Sequence, residues 1–384
     1  MTISSRVAAA ARAALIVAVV AAGAGAGGAR ASAPPTSEPA ATDPAPTTPT
    51  ATDVVVTSAA PATGESPWTE IVAGADCVCA DGAEFSFFVR HADPKKVMFF
   101  LEGGGACFDA VSCAFSEDDS TTYDWDIGAD DNPALMRGIF DFSNDRNPFA
   151  DYSVVYVPYC TGDVHVGDTT REYSPDLTVE HNGYVNGTTA LGYLAENFPD
   201  AEQVVVVGES AGSIAAAGYA GLAGDALPDA QITVFADGSG AYPDNPSLNA
   251  GMGGLWGVVH PEWAADVPPE EWSIPAMVEQ AGLHNPDIVM SRLDFAYDGT
   301  QGAFMLALDL TDDLLASADI NEARIEAAGV NQFSFTAPGK DHTLVRRDEF
   351  YRMELNGVSL ADWVTSIING ETVEDVHCEE CSSP

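Results

Sequence analysis

Short runs that are apolar throughout, rather than alternating, recur along the chain from residue 84 onward. They are Glu84–Arg90, Val97–Leu101, Val154–Val157, Val204–Val207, Ile232–Ala236, the end of Asp287–Phe295, and Phe333–Thr336. Strands of this kind are buried on both faces, which predicts a mostly parallel sheet covered by helices. The first two runs read as a strand pair entering the sheet, and Phe333–Thr336 reads as the last strand. Helical segments fall between the runs, among them about Val185–Asn197. A final helix is predicted over Ser359–Ile368, where Leu360, Trp363, Val364, Ile367 and Ile368 follow helical spacing. The fold class is therefore α/β, with helices on both faces of the sheet.

The pattern changes sharply upstream. Arg6 and Arg12 precede the apolar stretch Ala13–Val20, too short to span a bilayer, and Ala29-Arg30-Ala31 or Ala31-Ser32-Ala33 offers small-residue cleavage sites. Residues 1–33 read as an export signal. Residues 34–67 are rich in Pro, Thr, Ala and Ser and carry too little apolar surface to fold, so they read as a flexible linker. Residues 68–384 then form one large domain of a secreted, monomeric protein with no membrane span.

The run Val204–Val207 leads straight into Gly208-Glu209-Ser210-Ala211-Gly212, and a small-residue helix follows. A serine on a strand–turn–helix elbow of this kind has its hydroxyl exposed. Alone it is a poor nucleophile and needs a base, plus a group that orients the base. In this chain order the acid and the histidine come after the serine. His342 follows a late strand and the loop Pro338-Gly339-Lys340-Asp341. His377 lies in the cysteine-bearing tail, and His260 precedes Pro261 in a Trp- and Gly-rich stretch suited to a pocket wall. Two carboxylates stand at strand ends, Asp237 and Asp298, and spacing does not separate them. Ala211 N–H and the Gly103-Gly104-Gly105 loop offer donors for an oxyanion. That glycine loop lacks both the Lys-Ser/Thr ending of a phosphate cradle and any GxGxxG pattern. No cofactor or metal is called for.

Charge and cysteines narrow the partners. With 15 basic against 58 acidic residues the formal net charge is −43, which disfavours nucleic acid, anionic membranes and charged polygalacturonate. Seven cysteines in an exported chain imply disulfides with one thiol left over. Cys107 and Cys113 are close enough to staple a loop. Cys77 and Cys79 open the domain while Cys378 and Cys381 close it, so a bridge could join the two ends. The acidic loop 116–132 contains Asp124-x-Asp126-x-Gly128-x-Asp130, but it lacks the glycine position and distal Glu of a calcium-binding loop. It reads as a solvated lid.

Taken together, these pieces resemble the pectin acetylesterase/Notum family of serine carboxylesterases of the α/β-hydrolase type. The likeness runs through Leu101–Cys107, Gly138-Ile139-Phe140 with Asn147-Pro148, and Val157–Asp168. It continues through Gly208–Gly212, Tyr297-Asp298-Gly299-Thr300-Gln301 and His342-Thr343. The resemblance implies Ser210, His342 and Asp298 as the triad, with Asp237 structural. It also implies Gly104, Gly105 and Ala211 as oxyanion donors and a Cys107–Cys113 disulfide. The implied reaction is removal of an acyl group, acetate in the first instance, from carbohydrate or small esters. Long-chain deacylation with the same triad is one alternative, and a non-catalytic glycan-binding protein on the same scaffold is another. Many plant members carry Trp where this chain has Ala106, which should reshape the pocket; Tyr159 and His165 are further pocket candidates.

Overall fold

A computed structural model describes residues 67–116, 121–379 and 381. The export signal and nearly all of the linker lie outside them. The described strands are β1 (Trp68–Val72), β2 (Ser86–Arg90), β3 (Asp93–Leu101), β4 (Tyr152–Val157), β5 (Thr169–Ser174), β6 (Leu177–His181), β7 (Gln203–Glu209), β8 (Gln231–Asp237), β9 (Val289–Phe295), β10 (Gln332–Ala337), β11 (Glu354–Leu355), β12 (Val358–Ser359) and β13 (Val376–His377). Nine of them join in one sheet, in the order β1-β2-β4-β3-β7-β8-β9-β10-β13, while β5 with β6 and β11 with β12 form separate pairs. Within the nine-stranded sheet only β2 runs against the others, since it is antiparallel to both β1 and β4 while the remaining pairs are parallel.

Within each central strand, neighbours alternate between two cores. Val97, Phe99, Val204 and Val206 face one side, and Met98, Phe100, Val205 and Val207 face the other. The first core is closed by helices α1 (Gly183–Asn197) and α2 (Ala211–Ala226). The second is closed by a helix over Leu360–Ile368, through Trp363, Val364 and Ile367. Because both faces are covered, the strands have no polar side to show, and this is why the sequence runs are apolar rather than alternating. Phe100 is fully buried and stacks on Tyr156 with ring centroids 5.2 Å apart. Its truncation to Ala would cost about 3–5 kcal/mol.

Three expectations are corrected. The runs that form β2 and β3 do not pair with each other, because β4 inserts between them. β3 starts just after β2 ends, but the chain returns about fifty residues after β3 to lay β4 between them, and no local pattern encodes that. Phe333–Thr336 is not the last strand either, for Val376 and His377 add β13 to its outer edge. Finally, no bridge joins the ends of the domain. Cys79 pairs with Cys160, Cys107 with Cys113 and Cys378 with Cys381, leaving Cys77 as a buried free thiol. The Cys79–Cys160 bond ties the entry segment to the loop after β4, closing a separation of 81 residues.

Candidate active site

The carboxyl ends of β3, β7, β8, β9 and β10 converge at one edge of the sheet, where folds of this kind place their chemistry. Ser210 sits between β7 and α2 with φ 51° and ψ −114°, a left-handed conformation for a residue with a side chain. The elbow can be this tight because a Cβ at Gly208 would stand 2.3 Å from the Gly212 carbonyl, and one at Gly212 would stand 2.1 Å from that of Leu101. Neither position admits anything larger than glycine. Ser210 N–H donates to the Asp237 carbonyl across the β7–β8 edge at 2.8 Å.

His342 lies on the loop after β10. Its Nε2 is 2.7 Å from Ser210 Oγ, and its Nδ1 is 2.6 Å from Asp298 Oδ2. A carboxylate only accepts, so Nδ1 carries the hydrogen and Nε2 is left to accept from the serine hydroxyl. Burial pulls the imidazole's pKa down, but the charge and hydrogen bond of Asp298 outweigh it and leave it above the ordinary histidine value. Asp298 is wholly buried, yet it is well supplied with donors. Its Oδ1 accepts from Thr300 and Gln301 N–H at the start of the helix Gly299–Ala307, and Oδ2 accepts from Gln301 Nε2 at 3.0 Å. With the Nδ1–H of His342, four donor contacts hold the carboxylate in place.

Asp237, the other strand-end carboxylate, does not reach the imidazole. Its Oδ2 accepts from Leu344 and Val345 N–H at 2.7 and 2.9 Å, so it shapes the loop that carries His342. Burial raises its pKa to about 8, with those two N–H groups opposing the rise. The remaining downstream histidines stand elsewhere. His260 stacks on Trp272, His284 pairs with Asp225, and His377 pairs with Glu322.

Gly103, Gly104 and Gly105 run beneath the elbow. A Cβ at Gly103 would meet Ser210 Cβ at 2.7 Å, and Gly105 has φ +79°. Among the described residues, Gly104 and Gly105 N–H donate to no backbone carbonyl. The first part of the acidic loop is not a free lid: Tyr123 is buried beside Cys107 and Cys113, and Asp124 N–H donates to the Gly104 carbonyl at 2.8 Å. Residues 117–120 of that loop lie outside the described chain. Among the described residues, the acids of the loop do not converge as cation ligands. A different trio, Glu322, Glu326 and Asp375, brings its oxygens within 4.8 Å of one another, but Glu322 is already engaged by Arg292 and His377.

Ser210 opens onto a cavity of about 200 Å³ whose lining contains no charged side chain. The helix α3 (Pro246–Trp256) contributes Leu248, Met252 and Leu255, and Phe304 and Leu308 add to the lining. Trp256 Nε1–H donates to the Cys107 carbonyl at 2.8 Å and so pins α3 to the donor loop. Ala106 lines this cavity, whereas Tyr159 and His165 do not. Both are buried behind it. Tyr159 presses its ring against Gly104 and accepts from Val164 N–H through its hydroxyl. His165 spends Nε2 on the Glu102 carbonyl, and burial lowers its pKa to about 4. Their loop folds inward because Asp163 gathers Thr161, His165 N–H and Gly183 N–H, a network with no local sequence signal.

Sequence reasoning missed Glu102, Glu209 and Arg346. Arg346 Nη1 lies 2.5 Å from Glu102 Oε1, and Arg346 Nε lies 2.5 Å from Glu209 Oε2. A signal was available: a glutamate at the end of each of two apolar strands must find a cation.

A mostly parallel sheet with a serine on the strand–helix elbow and a histidine on a late loop is the α/β-hydrolase fold. A crystal structure of the Wnt deacylase Notum from Drosophila superposes with TM-score 0.57, at 16% identity, over 79% of this chain and 94% of that one. The family model for pectinacetylesterase matches residues 65–252. Among curated proteins, the palmitoleoyl-protein carboxylesterase NOTUM of Schmidtea mediterranea is 30% identical over 152 residues, covering 35% of this chain and 26% of that protein. Its Drosophila melanogaster counterpart is 27% identical over 157 residues, covering 37% of this chain and 22% of that protein. The chain spans about a quarter of the length of the curated relatives it matches. By these likenesses the chain resembles the pectin acetylesterase/Notum family over the matched residues.

Proposed function

We propose that the chain is an exported serine carboxylesterase acting through Ser210, His342 and Asp298. The observation that carries this reading is the continuous relay Asp298–His342–Ser210 at the mouth of an apolar cavity. His342 Nε2 takes the proton as Ser210 Oγ attacks the ester carbonyl, and Asp298 stabilises the imidazolium so formed. Gly104, Gly105 and Ala211 N–H receive the oxyanion, each donor being worth about 10²–10³ in turnover in comparable enzymes. The proton then passes from Nε2 to the leaving alcohol, and water activated by the same nitrogen releases the acid. Three disulfides support an oxidising compartment, and among the described residues no helix is long and apolar enough to cross a membrane.

The cavity refines the acyl group. At about 200 Å³ it exceeds the engineered cavity of roughly 150 Å³ that takes benzene. Acetate would fill only the end nearest Ser210, so an acyl chain longer than acetate, on an uncharged alcohol, is the better occupant. The test compares aryl acetate, butyrate, octanoate and palmitate with wild type, Ser210→Ala and Ala106→Trp. Ser210→Ala should lose turnover on every ester, and a retained rate would overturn the nucleophile. Wild type should prefer butyrate or octanoate, and Ala106→Trp should shift the optimum toward acetate. A wild type fastest on acetate would return the substrate to acetyl esters.

A further inference from the structure

Arg346 occupies an unusual place. It faces Glu102, which ends the approach to the glycine donor loop, and Glu209, which immediately precedes Ser210. It lies four residues beyond His342 on the same loop. Thr343, next to His342, donates its hydroxyl to Glu209 Oε1 at 2.9 Å, so the base loop grips the elbow twice. Both carboxylates are buried, and Arg346 is largely so. Two acids sharing one base in such surroundings are a weak source of stability, because desolvation offsets most of the attraction. Their arrangement therefore calls for a different account.

We propose that Arg346 is a positioning residue. Its guanidinium spans Glu102 and Glu209, locking the donor loop, the nucleophile elbow and the base loop into one unit, and it balances the Glu209 carboxylate beside His342. This rests on the esterase reading above. A planar guanidinium can serve two carboxylates from separate nitrogens, as Nη1 and Nε do here, whereas an ammonium acts as a single point charge. The groups that face His342 are Asp298 after β9, Asp237 at the end of β8 and Glu209 at the end of β7. On its own loop Asp341 is taken up by Arg347. Arg346 itself is faced by Glu102, Glu209, Tyr156 and Asp131. Without Arg346 the Glu209 charge would act on the imidazolium unopposed and make the base harder to deprotonate.

The decisive measurement is kcat and kcat/KM against pH on aryl butyrate, for the full chain carrying Ser210→Ala, Arg346→Met, Arg346→Lys, Glu209→Gln and the double change Arg346→Met/Glu209→Gln. Arg346→Met should lower kcat about 10²-fold, through misplacement of the reacting groups. It should also move the acidic limb of kcat/KM up by about one pH unit. Arg346→Lys should keep the limb near its wild-type position while kcat falls about tenfold, since the charge survives and the two-sided grip does not. Glu209→Gln should move the limb down, and the double change should bring it back. A folded Arg346→Met protein with an unmoved limb overturns the inference. Should that variant fail to fold, Glu209→Gln alone decides, and an unmoved limb again overturns it. Full turnover by Ser210→Ala would instead overturn the esterase reading, so the two failures are distinguishable.

Discussion

Asp237 and Asp298 are the same residue type at the same edge of the same sheet, and both are wholly buried. Their surroundings give them different work. Asp298 opens a helix and accepts two backbone N–H groups on one oxygen, with Gln301 and His342 on the other. Asp237 turns one oxygen to Leu344 and Val345 N–H, while its Oδ1 has no partner. Burial without enough donors favours the neutral acid, which is the direction of its raised pKa. At this sheet edge the buried carboxylate held by a helix start and an amide serves the histidine, and the one without them is part of the scaffold.

The largest expected effect tests that contrast directly. Asp298→Asn should lower kcat on the order of 10⁴-fold, because an amide cannot hold the Nδ1–H tautomer. Asp237→Asn should leave turnover within about tenfold of wild type, since an amide oxygen can still accept from Leu344 and Val345. The reverse result would exchange the roles assigned to the two residues.

A second expectation concerns pH. Catalysis by Nε2 requires a neutral imidazole, and Asp298 holds the pKa of His342 above its ordinary value. The acidic limb of kcat/KM should therefore lie above the histidine reference of about 6.5, activity rising with pH through it. Asp298→Asn should carry whatever limb remains to lower pH. A wild-type limb well below that reference would break the assignment of the base.

The smallest effect is on stability. With its pKa raised to about 8, folded Asp237 holds a proton that the unfolded chain has released. Its contribution to stability is thus present below the ordinary carboxyl range and is lost as pH rises toward the folded value. Between those limits, wild type should lose stability relative to Asp237→Asn as pH rises, read as the pH dependence of the urea midpoint. Parallel stability curves for the two proteins would show that Asp237 is charged when folded.

The likeness between the two acids also marks the limit of the sequence. Apolar runs with helical segments among them announced the doubly covered sheet, because burial on both faces leaves its mark on every residue of a strand. The elbow was legible for a related reason: Gly208 and Gly212 are dictated by contacts within their own turn and with the adjoining strand. Chain order brought forward His342 and two acids, but spacing could not choose between them, and the family resemblance pointed to Asp298. The Cys79–Cys160 bond and the insertion of β4 between β2 and β3 left no local trace, and the grip of Arg346 on Glu102 and Glu209 left only two strand-end glutamates in need of a cation. Each joins segments far apart in the chain. The pocket shows the same division. Ala106 could be singled out beside its glycines, yet Leu248, Met252 and Phe304 come from helices whose facing surfaces only packing determines. By itself, then, the sequence determined the sheet, the elbow and the kind of chemistry to look for, because those depend on local periodicity and turn sterics. The tertiary structure decided which carboxylate meets the imidazole, what balances the charge beside it and how large an acyl group fits, because those are matters of distance between remote segments.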